Sequence, residues 1–179
     1  MNLRISMMAL ALAVAGLVGC AKNQAPDVAG NVRDSLKQAG LGDVSVSQDR
    51  DRGVVTLAGN VRQAADKDRA EQIAKSTAPG QVVANQIAVL PNGAESTTKS
   101  VNSDLDKGIE ANLDAAFKQA NMASVKHSTK MGVVTLKGDL ESPERRAQAE
   151  KVAAGVPNVQ QVVNEVDVTK QRATSSTAR

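Results

Sequence analysis

The sequence has 179 residues, a formal net charge of +3, and Phe117 as its only Phe, Trp or Tyr residue. This length allows one or two small domains, whose cores must be built almost entirely from aliphatic side chains. The positive excess lies outside the globular regions, since residues 27–90 carry eight acidic and eight basic residues and residues 104–168 carry ten and eight. Neither region has the one-sided basic character of a nucleic-acid-binding protein, so we expect no nucleic-acid partner.

Residues 1–20 have the features of a secretory targeting segment. Arg4 precedes an apolar stretch over residues 5–18, which is too short to span a bilayer. The stretch ends in Leu-Val-Gly-Cys, which resembles the bacterial lipobox and implies that Cys20 becomes the lipid-modified first residue of the mature protein. An ordinary cleaved signal with a cysteine nearby is the alternative. Because Ala21 is not aspartate, the expected location is the periplasmic face of the outer membrane.

The first globular region shows alternating helix and strand patterns. Residues 21–26 are predicted to be a polar tether, and apolar positions 28, 32 and 36 then predict a helix with Asp27 as N-cap and Gly40 as its end. Alternating residues 44–47 predict a strand, and the charged residues 48–52 predict a solvated turn. A second strand over 53–59, a helix over 63–77 and a third strand over 81–90 complete the region.

One seven-residue phrase organises the chain, because it occurs twice. Gly-Val-Val-Thr-Leu-x-Gly fills 53–59 and again 132–138, and 13 of the 37 positions between 53–89 and 132–168 are identical. This indicates an internal duplication. The β-branched content of the phrase favours a strand. Glycines at its start can supply positive φ, and glycines at its end let a neighbouring element approach closely.

The second region repeats the first after a predicted linker over residues 91–103. A helix is expected over 104–120 and a strand over 124–128, followed by the phrase. Ser142 and Pro143 then provide the N-cap and first residue of another helix. A final strand covers 159–168, and residues 169–179 are predicted to be a disordered tail.

Both regions therefore have an αββαβ order, and the fold class is α+β. A hairpin joins the first two strands, and the second helix is a crossover that makes the third strand parallel to the second. Each unit is expected to be a three-stranded mixed sheet, with the phrase strand in its centre and two helices covering one face. The sequence leaves open whether the two units pack together.

The repeated phrase, the Ala-Glu pairs at 70–71 and 149–150, and the Val-x-Asn-x-[IV]-x-Val strands at 83–89 and 162–168 resemble the BON domain. Tandem BON domains behind a lipobox are similar to outer-membrane lipoproteins of that family. The resemblance implies a non-enzymatic protein that contacts anionic phospholipid and supports envelope integrity or stress tolerance. It also implies lipid contact through helix 104–120, with Leu113, Phe117 and Lys118 as candidate membrane-contact residues. Helical spacing equally allows Phe117 and Leu113 to belong to the core.

Some members of the family are soluble periplasmic proteins without a lipid anchor. The alternative function is therefore a periplasmic chaperone-like module or a protein-binding adaptor that does not recognise lipid headgroups. An envelope protein would then be the partner.

No catalytic, metal or cofactor site is predicted. His127 is the only histidine and Cys20 the only cysteine, so a zinc site lacks ligands. The phrase is not followed by the Lys-Ser/Thr pair of a phosphate-binding loop. Asn85 and Asn164 are in phase with core-facing valines, and they are interpreted as side chains that bind neighbouring backbone groups rather than as a paired polar site.

Overall fold

The computed structural model describes residues 24–169, which form two units in succession. The first unit contains α1 (Ala29–Gln38), β1 (Ser45–Asp49), β2 (Val54–Val61), α2 (Ala64–Thr77) and β3 (Val82–Val89). The second contains α3 (Glu95–Gln119), β4 (Lys126–Lys130), β5 (Val133–Leu140), α4 (Pro143–Ala154) and β6 (Gln161–Val168). The α+β class and the αββαβ order predicted for each unit are confirmed.

Each unit has one three-stranded sheet with the phrase strand in its centre. In the first sheet β2 pairs antiparallel with β1 and parallel with β3, and β5 does the same between β4 and β6. The registers match across the duplication, since Leu57 lies opposite Asn85 and Leu136 opposite Asn164. The duplicated sequence therefore encodes the same pairing twice.

Each unit has its own aliphatic core between its sheet and its two helices. Val55 and Leu57 from β2 are fully buried, as are Val134 and Leu136 from β5. The repeated alanines of the second helices, at positions 70, 74, 149 and 153, are also fully buried. Small side chains at these positions let the helix lie close to the sheet, which explains why the duplication retains them.

The glycines at the end of the phrase act as predicted. Gly59 has a φ of +122°, and a Cβ built there would lie 2.8 Å from the carbonyl oxygen of Asp43. Gly138 has a φ of +126°, with the corresponding carbonyl of Ser124 at 3.3 Å. The chain entering β1 or β4 thus crosses directly over a position where only glycine fits without adjustment.

The start of α1 differs from the prediction. Asp27 is not the N-cap, because the helix begins after Val28, whose side chain makes no capping bond. The Oε1 atom of Gln48 instead accepts hydrogen bonds from the backbone N–H groups of Val28 (3.1 Å) and Ala29 (3.2 Å). The cap therefore comes from β1, 20 residues away in sequence. In α4 the predicted Ser142 cap is confirmed, because its hydroxyl accepts from the N–H of Arg145 at 3.3 Å.

The predicted linker over 91–103 is mostly helical, and this prediction was wrong. Helix α3 starts at Glu95, and the connection between the units shrinks to a short turn containing Pro91 and Gly93. Residues 95–103 are polar but contain neither proline nor glycine, so nothing in them stops helical hydrogen bonding from propagating. Val101 continues the four-residue apolar spacing of Leu105 and Ile109 toward the N-terminus.

Residues 24–26 are docked on the first unit rather than forming a free tether. The N–H of Ala25 donates to the carbonyl of Arg50 (2.8 Å), and the Arg50 side chain returns a bond to the carbonyl of Ala25 (2.9 Å). The Gln48 amide also donates to the carbonyl of Pro26 at 2.7 Å. The chain therefore approaches along the β1–β2 turn.

The two units pack together through the outer faces of their sheets. Val54 and Ala84 of the first sheet form one buried cluster with Val133 and Val163 of the second. Val54 and Val133 are equivalent positions of the phrase, as are Ala84 and Val163 of the third strands. The same duplicated face is therefore used on both sides of the contact.

Two polar side chains fix the relative position of the units. The Gln161 amide donates to the carbonyl of Val83 (2.7 Å) and accepts from the N–H of Asn85 (3.4 Å), along the free edge of β3. Arg52 donates to the carbonyl of Glu165 (3.1 Å) and pairs with the carboxylate of Asp167 at 3.3 Å. These contacts supply directional bonds that the small apolar cluster lacks.

Candidate functional site

Two of the three candidate membrane-contact residues lie inside the second unit. Phe117 is 2% exposed and Leu113 fully buried. The Phe117 ring stacks on the His127 ring, with centroids 5.6 Å apart and planes inclined by 20°. Neither side chain can reach a bilayer in this packed state, so the membrane-contact expectation is corrected for both and the core interpretation holds. Lys118 is exposed.

The acidic residues of α3 are directed at the neighbouring edge strand. The two carboxylate oxygens of Asp106 accept from the N–H groups of Met131 (2.9 Å) and Gly132 (3.0 Å), in the β4–β5 turn. Glu110 accepts from the N–H of Thr129 at 3.0 Å. These carboxylates accept hydrogen bonds from backbone N–H groups along β4 and its turn. Their four-residue spacing therefore has a structural role, and no bound ligand is needed to account for it.

An exposed apolar pair lies on another side of the same helix. Val101 is 51% exposed and Leu105 46%, and Val82 is the only other large aliphatic side chain that is as exposed among residues 24–169. Because successive helical residues are about 100° apart, Val101 and Glu110 lie on opposite sides of the α3 axis. The apolar pair is therefore separated from Glu110, whereas Asp104 and Asp106 lie about 100° to either side of Leu105.

Leu105 of this pair lines a groove built by both units, and Val101 lies one helical turn away. The groove has a volume of about 420 Å³. Its apolar wall includes Leu105 and Ile109 from α3 and Ile87 and Val89 from the end of β3. One basic residue, Lys67 from α2, and one acidic residue, Asp106 from α3, are also among the lining residues. This combination of aliphatic surface with charged residues at its border suits an amphiphile with a charged head. Sequence reasoning missed Val101, Leu105 and Lys67, although the Val101–Leu105–Ile109 spacing carried the signal for the first two.

His127 is a largely buried side chain that contacts α3. Its Nε2 atom lies 3.1 Å from the carboxylate of Asp114, while Nδ1 is buried without a hydrogen-bond partner. The described part of the chain contains no group of three or more His, Cys, Asp or Glu residues arranged to hold a metal ion.

The two repeated asparagines make the same network in both units. The Asn85 amide donates to the carbonyl of Lys67 (3.2 Å) and to the carboxylate of Glu71 (3.0 Å), and its oxygen accepts from the N–H of Ile87. Burial raises the pKa of Glu71, but the hydrogen bonds from Asn85 and Lys75 outweigh burial and the net pKa is lowered.

In the second unit, Asn164 bonds in the same way to the carbonyl of Arg146 and to the carboxylate of Glu150. The prediction that these asparagines bind neighbouring backbone groups is thus confirmed. The network ties the third strand to the second helix.

The predicted lipidation residue, Cys20, lies outside the described residues, as do the signal segment 1–20 and the tail from residue 170 onward. Within 24–169, no helix combines the length and the apolar character needed to cross a bilayer.

Comparison with known proteins identifies the repeated unit. The family model of the BON domain matches residues 17–91 and again 105–170. No curated protein matches the chain.

Two solved structures of CdsD, a structural protein of the type III secretion system of Chlamydia trachomatis, are similar at low identity. One is 12% identical and covers 78% of this chain and 91% of that chain, with a TM-score of 0.37. The other, a C-terminal domain, is 13% identical and covers 80% and 98%, with a TM-score of 0.34. Overlaps this low carry no argument about function.

Proposed function

The chain belongs to the BON-domain family, which is generally non-enzymatic and known for phospholipid binding in envelope proteins, and from this premise we propose that it is an outer-membrane-associated lipoprotein that binds phospholipid and supports envelope integrity. The observation that carries the proposal is the exposed pair Val101 and Leu105 beside the groove that contains Lys67. Exposed aliphatic side chains next to a cation match the acyl region and the phosphate of a phospholipid.

Helix α3 remains the contact helix, but through its N-terminal half. The sequence placed the contact near Phe117, where the side chains are buried. Val101 and Leu105 take that place because the helix begins at Glu95, about four turns before its first buried residue, Ile109. The carboxylates near the apolar pair have partners within the second unit. Asp106 and Glu110 accept backbone hydrogen bonds at the β4 edge, and the exposed Asp104 pairs with Lys107 at 3.3 Å.

A lipid anchor at Cys20 would restrict how the protein lies on the bilayer. Five residues separate Cys20 from the docked Ala25, a reach of at most about 18 Å. Ala25 lies at the β1–β2 turn, and the groove lies at the other end of β3, about 23 Å away along the strand. If the anchor at Cys20 and the groove are to contact the same membrane, the strands must lie roughly parallel to the membrane plane.

Vesicle flotation tests the lipid-contact surface. The protein carries Cys20→Ser, so that no acyl chain contributes, and is mixed with phosphatidylglycerol or phosphatidylcholine vesicles. Replacing both Val101 and Leu105 by Gln is expected to weaken binding tenfold or more, since each half-exposed side chain contributes about 1 kcal/mol of apolar transfer.

The matched control is Val82→Gln, because Val82 is as exposed as Leu105 (46% each) but lies on the first sheet. The control should bind like the parent protein. Lipid binding through this surface would be contradicted if the control and the double variant lost vesicle binding equally, or if the parent did not float with either lipid. The adaptor function would then be favoured.

Anchoring is tested separately in cells with the otherwise native chain. Cys20→Ser should move the protein to the soluble fraction or leave it unprocessed, because the acyl chains hold the mature protein at about 0.8 kcal/mol per buried CH₂. A Cys20→Ser protein that is processed and fractionates with membranes like the parent would contradict the lipoprotein assignment.

A further inference from the structure

The outer face of the second sheet carries lysines that the two proposed lipid contacts do not use. Lys126 and Lys130 on β4 are exposed, and within residues 24–169 neither ammonium has an acidic partner. Lys137 on β5 lies directly opposite Lys126, and its ammonium is 3.3 Å from the buried Oε2 atom of Glu165. Three ammonium groups therefore share one face of two adjacent strands.

The lysine cluster lowers the stability of the second sheet, and the first unit has no equivalent cluster. Like charges directly opposite each other across two strands are destabilising. The equivalent positions of the first unit, matched by strand register, carry Ser45, Asp49 and Ala58 in place of the three lysines. The second unit as a whole has more acids than bases, so overall charge does not explain the cluster.

The same face also offers hydroxyl groups. Ser128 on β4 lies directly opposite Thr135 on β5. Ser128 is two residues from Lys126 and two from Lys130, so it lies between these lysines on the same face of the strand. Lys126 and Lys130 are four residues apart on one strand, which places them about 13 Å apart. The face thus alternates cation, hydroxyl and cation along β4.

The shape of the surroundings favours a narrow ligand over a flat one. The first unit packs on the β5–β6 side of this face, where Val54 and Ala84 cover Val133 and Val163. Only the β4 side is open, as a ledge beside the first unit. Helix α3 lies on the other side of the sheet, because Ile109 and Leu113 pack on the core-facing residues of β5. A bilayer held by Val101 and Leu105 would therefore not meet the lysines.

We propose that this lysine ledge, formed by Lys126, Ser128, Lys130, Thr135 and Lys137, docks an extended acidic segment of a protein partner. Carboxylates four residues apart on an extended chain have the spacing of Lys126 and Lys130, and the hydroxyls donate to groups between them. A carboxylate between Lys126 and Lys137 also relieves their repulsion. The proposal does not depend on lipid binding, since it uses the opposite side of the second unit.

Fluorescence anisotropy of a labelled octaglutamate peptide tests the proposal with the purified full chain carrying Cys20→Ser. Binding is expected at low ionic strength and should weaken as salt is added, because exposed charges are screened. Replacing Lys126 and Lys130 by Gln should weaken it about two- to thirtyfold, from two exposed ion pairs. The melting temperature of this variant should not fall, since the change removes a like-charge contact.

The matched control replaces Lys37 and Lys151 by Gln, two exposed helical lysines, which changes the net charge by the same amount. The control should bind octaglutamate within twofold of the parent. Equal weakening in both variants, or no binding by the parent, overturns the proposal. Phosphatidylglycerol vesicles form the last arm, and a flotation that depends on Lys126 and Lys130 would also overturn it, because the ledge would then be a membrane contact.

Discussion

Replacing Gly59 by alanine should unfold the first unit's sheet more severely than the equivalent change at Gly138 harms the second. Both glycines have nearly the same positive φ, +122° and +126°, so an alanine suffers the same backbone strain at either site, about 1–3 kcal/mol. The sites differ in the space for a Cβ. At Gly59 it would lie 2.8 Å from the carbonyl oxygen of Asp43, against 3.3 Å from that of Ser124 at Gly138.

The contact at Gly59 cannot be relieved by a side-chain rotation. Its nearest atoms are all backbone, namely the Asp43 carbonyl, the Val44 Cα at 3.5 Å and the Ser45 N at 3.7 Å. The chain entering β1 must therefore move, and such overpacking adds about 1–3 kcal/mol. We expect a total of roughly 2–6 kcal/mol for Gly59→Ala and about 1–3 kcal/mol for Gly138→Ala. A unit of about 65 residues has a stability of only about 3–10 kcal/mol.

Urea unfolding followed by circular dichroism measures both free energies, and hydrogen exchange shows which unit opens. Gly59→Ala should increase exchange in β1 and β2, and Gly138→Ala in β4 and β5. The reasoning fails if the two variants differ by less than about 0.5 kcal/mol. It also fails if Gly59→Ala costs under 1 kcal/mol in total, since the carbonyl contact would then be easily relieved.

Three further predictions follow from the core, the network and the interface. Leu136→Ala should cost about 2–5 kcal/mol, because Leu136 is fully buried in the central strand; a loss under about 0.5 kcal/mol in urea unfolding would place it outside the core. Because the folded pKa of Glu71 is lowered, its stabilising contribution is present above the unfolded pKa near 4.5 and lost as pH falls through the lower folded value. The parent should therefore lose more stability than Glu71→Gln between pH 6 and pH 3, and parallel pH profiles in urea titrations would contradict the lowered pKa. Arg52→Gln should raise hydrogen exchange at β6 without unfolding either core, because Arg52 bonds across the interface to Glu165 and Asp167; unchanged exchange there would show that Arg52 is not needed to hold the units together.

The strands and their order were predictable because their signals are local. β-branched residues between glycines identify β2 and β5, and the duplication repeats each signal. The start of α1 was not predictable in the same way, because its cap is the Gln48 side chain from another element. The helical start of α3 was missed because residues 95–103 are polar, although polarity alone does not prevent a helix.

The candidate site was predicted only as far as the helix that carries it. Composition shows four acids and an aromatic on helix 104–120, but not that Asp106 and Glu110 face β4 or that Phe117 faces the core. The packing of the units did have a sequence signal. Val54 and Val55 are adjacent, and neighbours on a strand point to opposite faces, so a buried strand with both valines needs a cover on each side.

The Gln161 amide bonded along β3 has a consequence for how copies of this chain can associate. An unpaired strand edge is a template on which another chain can add a strand, and here a side chain occupies two of its backbone groups, at Val83 and Asn85. At the equivalent position the first unit has Val82, which cannot make these bonds. Gln161 therefore favours contact between the first and second units of one molecule. Val82 gives two first units from separate molecules no such contact. The Gln161 contact thus makes the edge of β3 less available for strand addition by another copy of the chain.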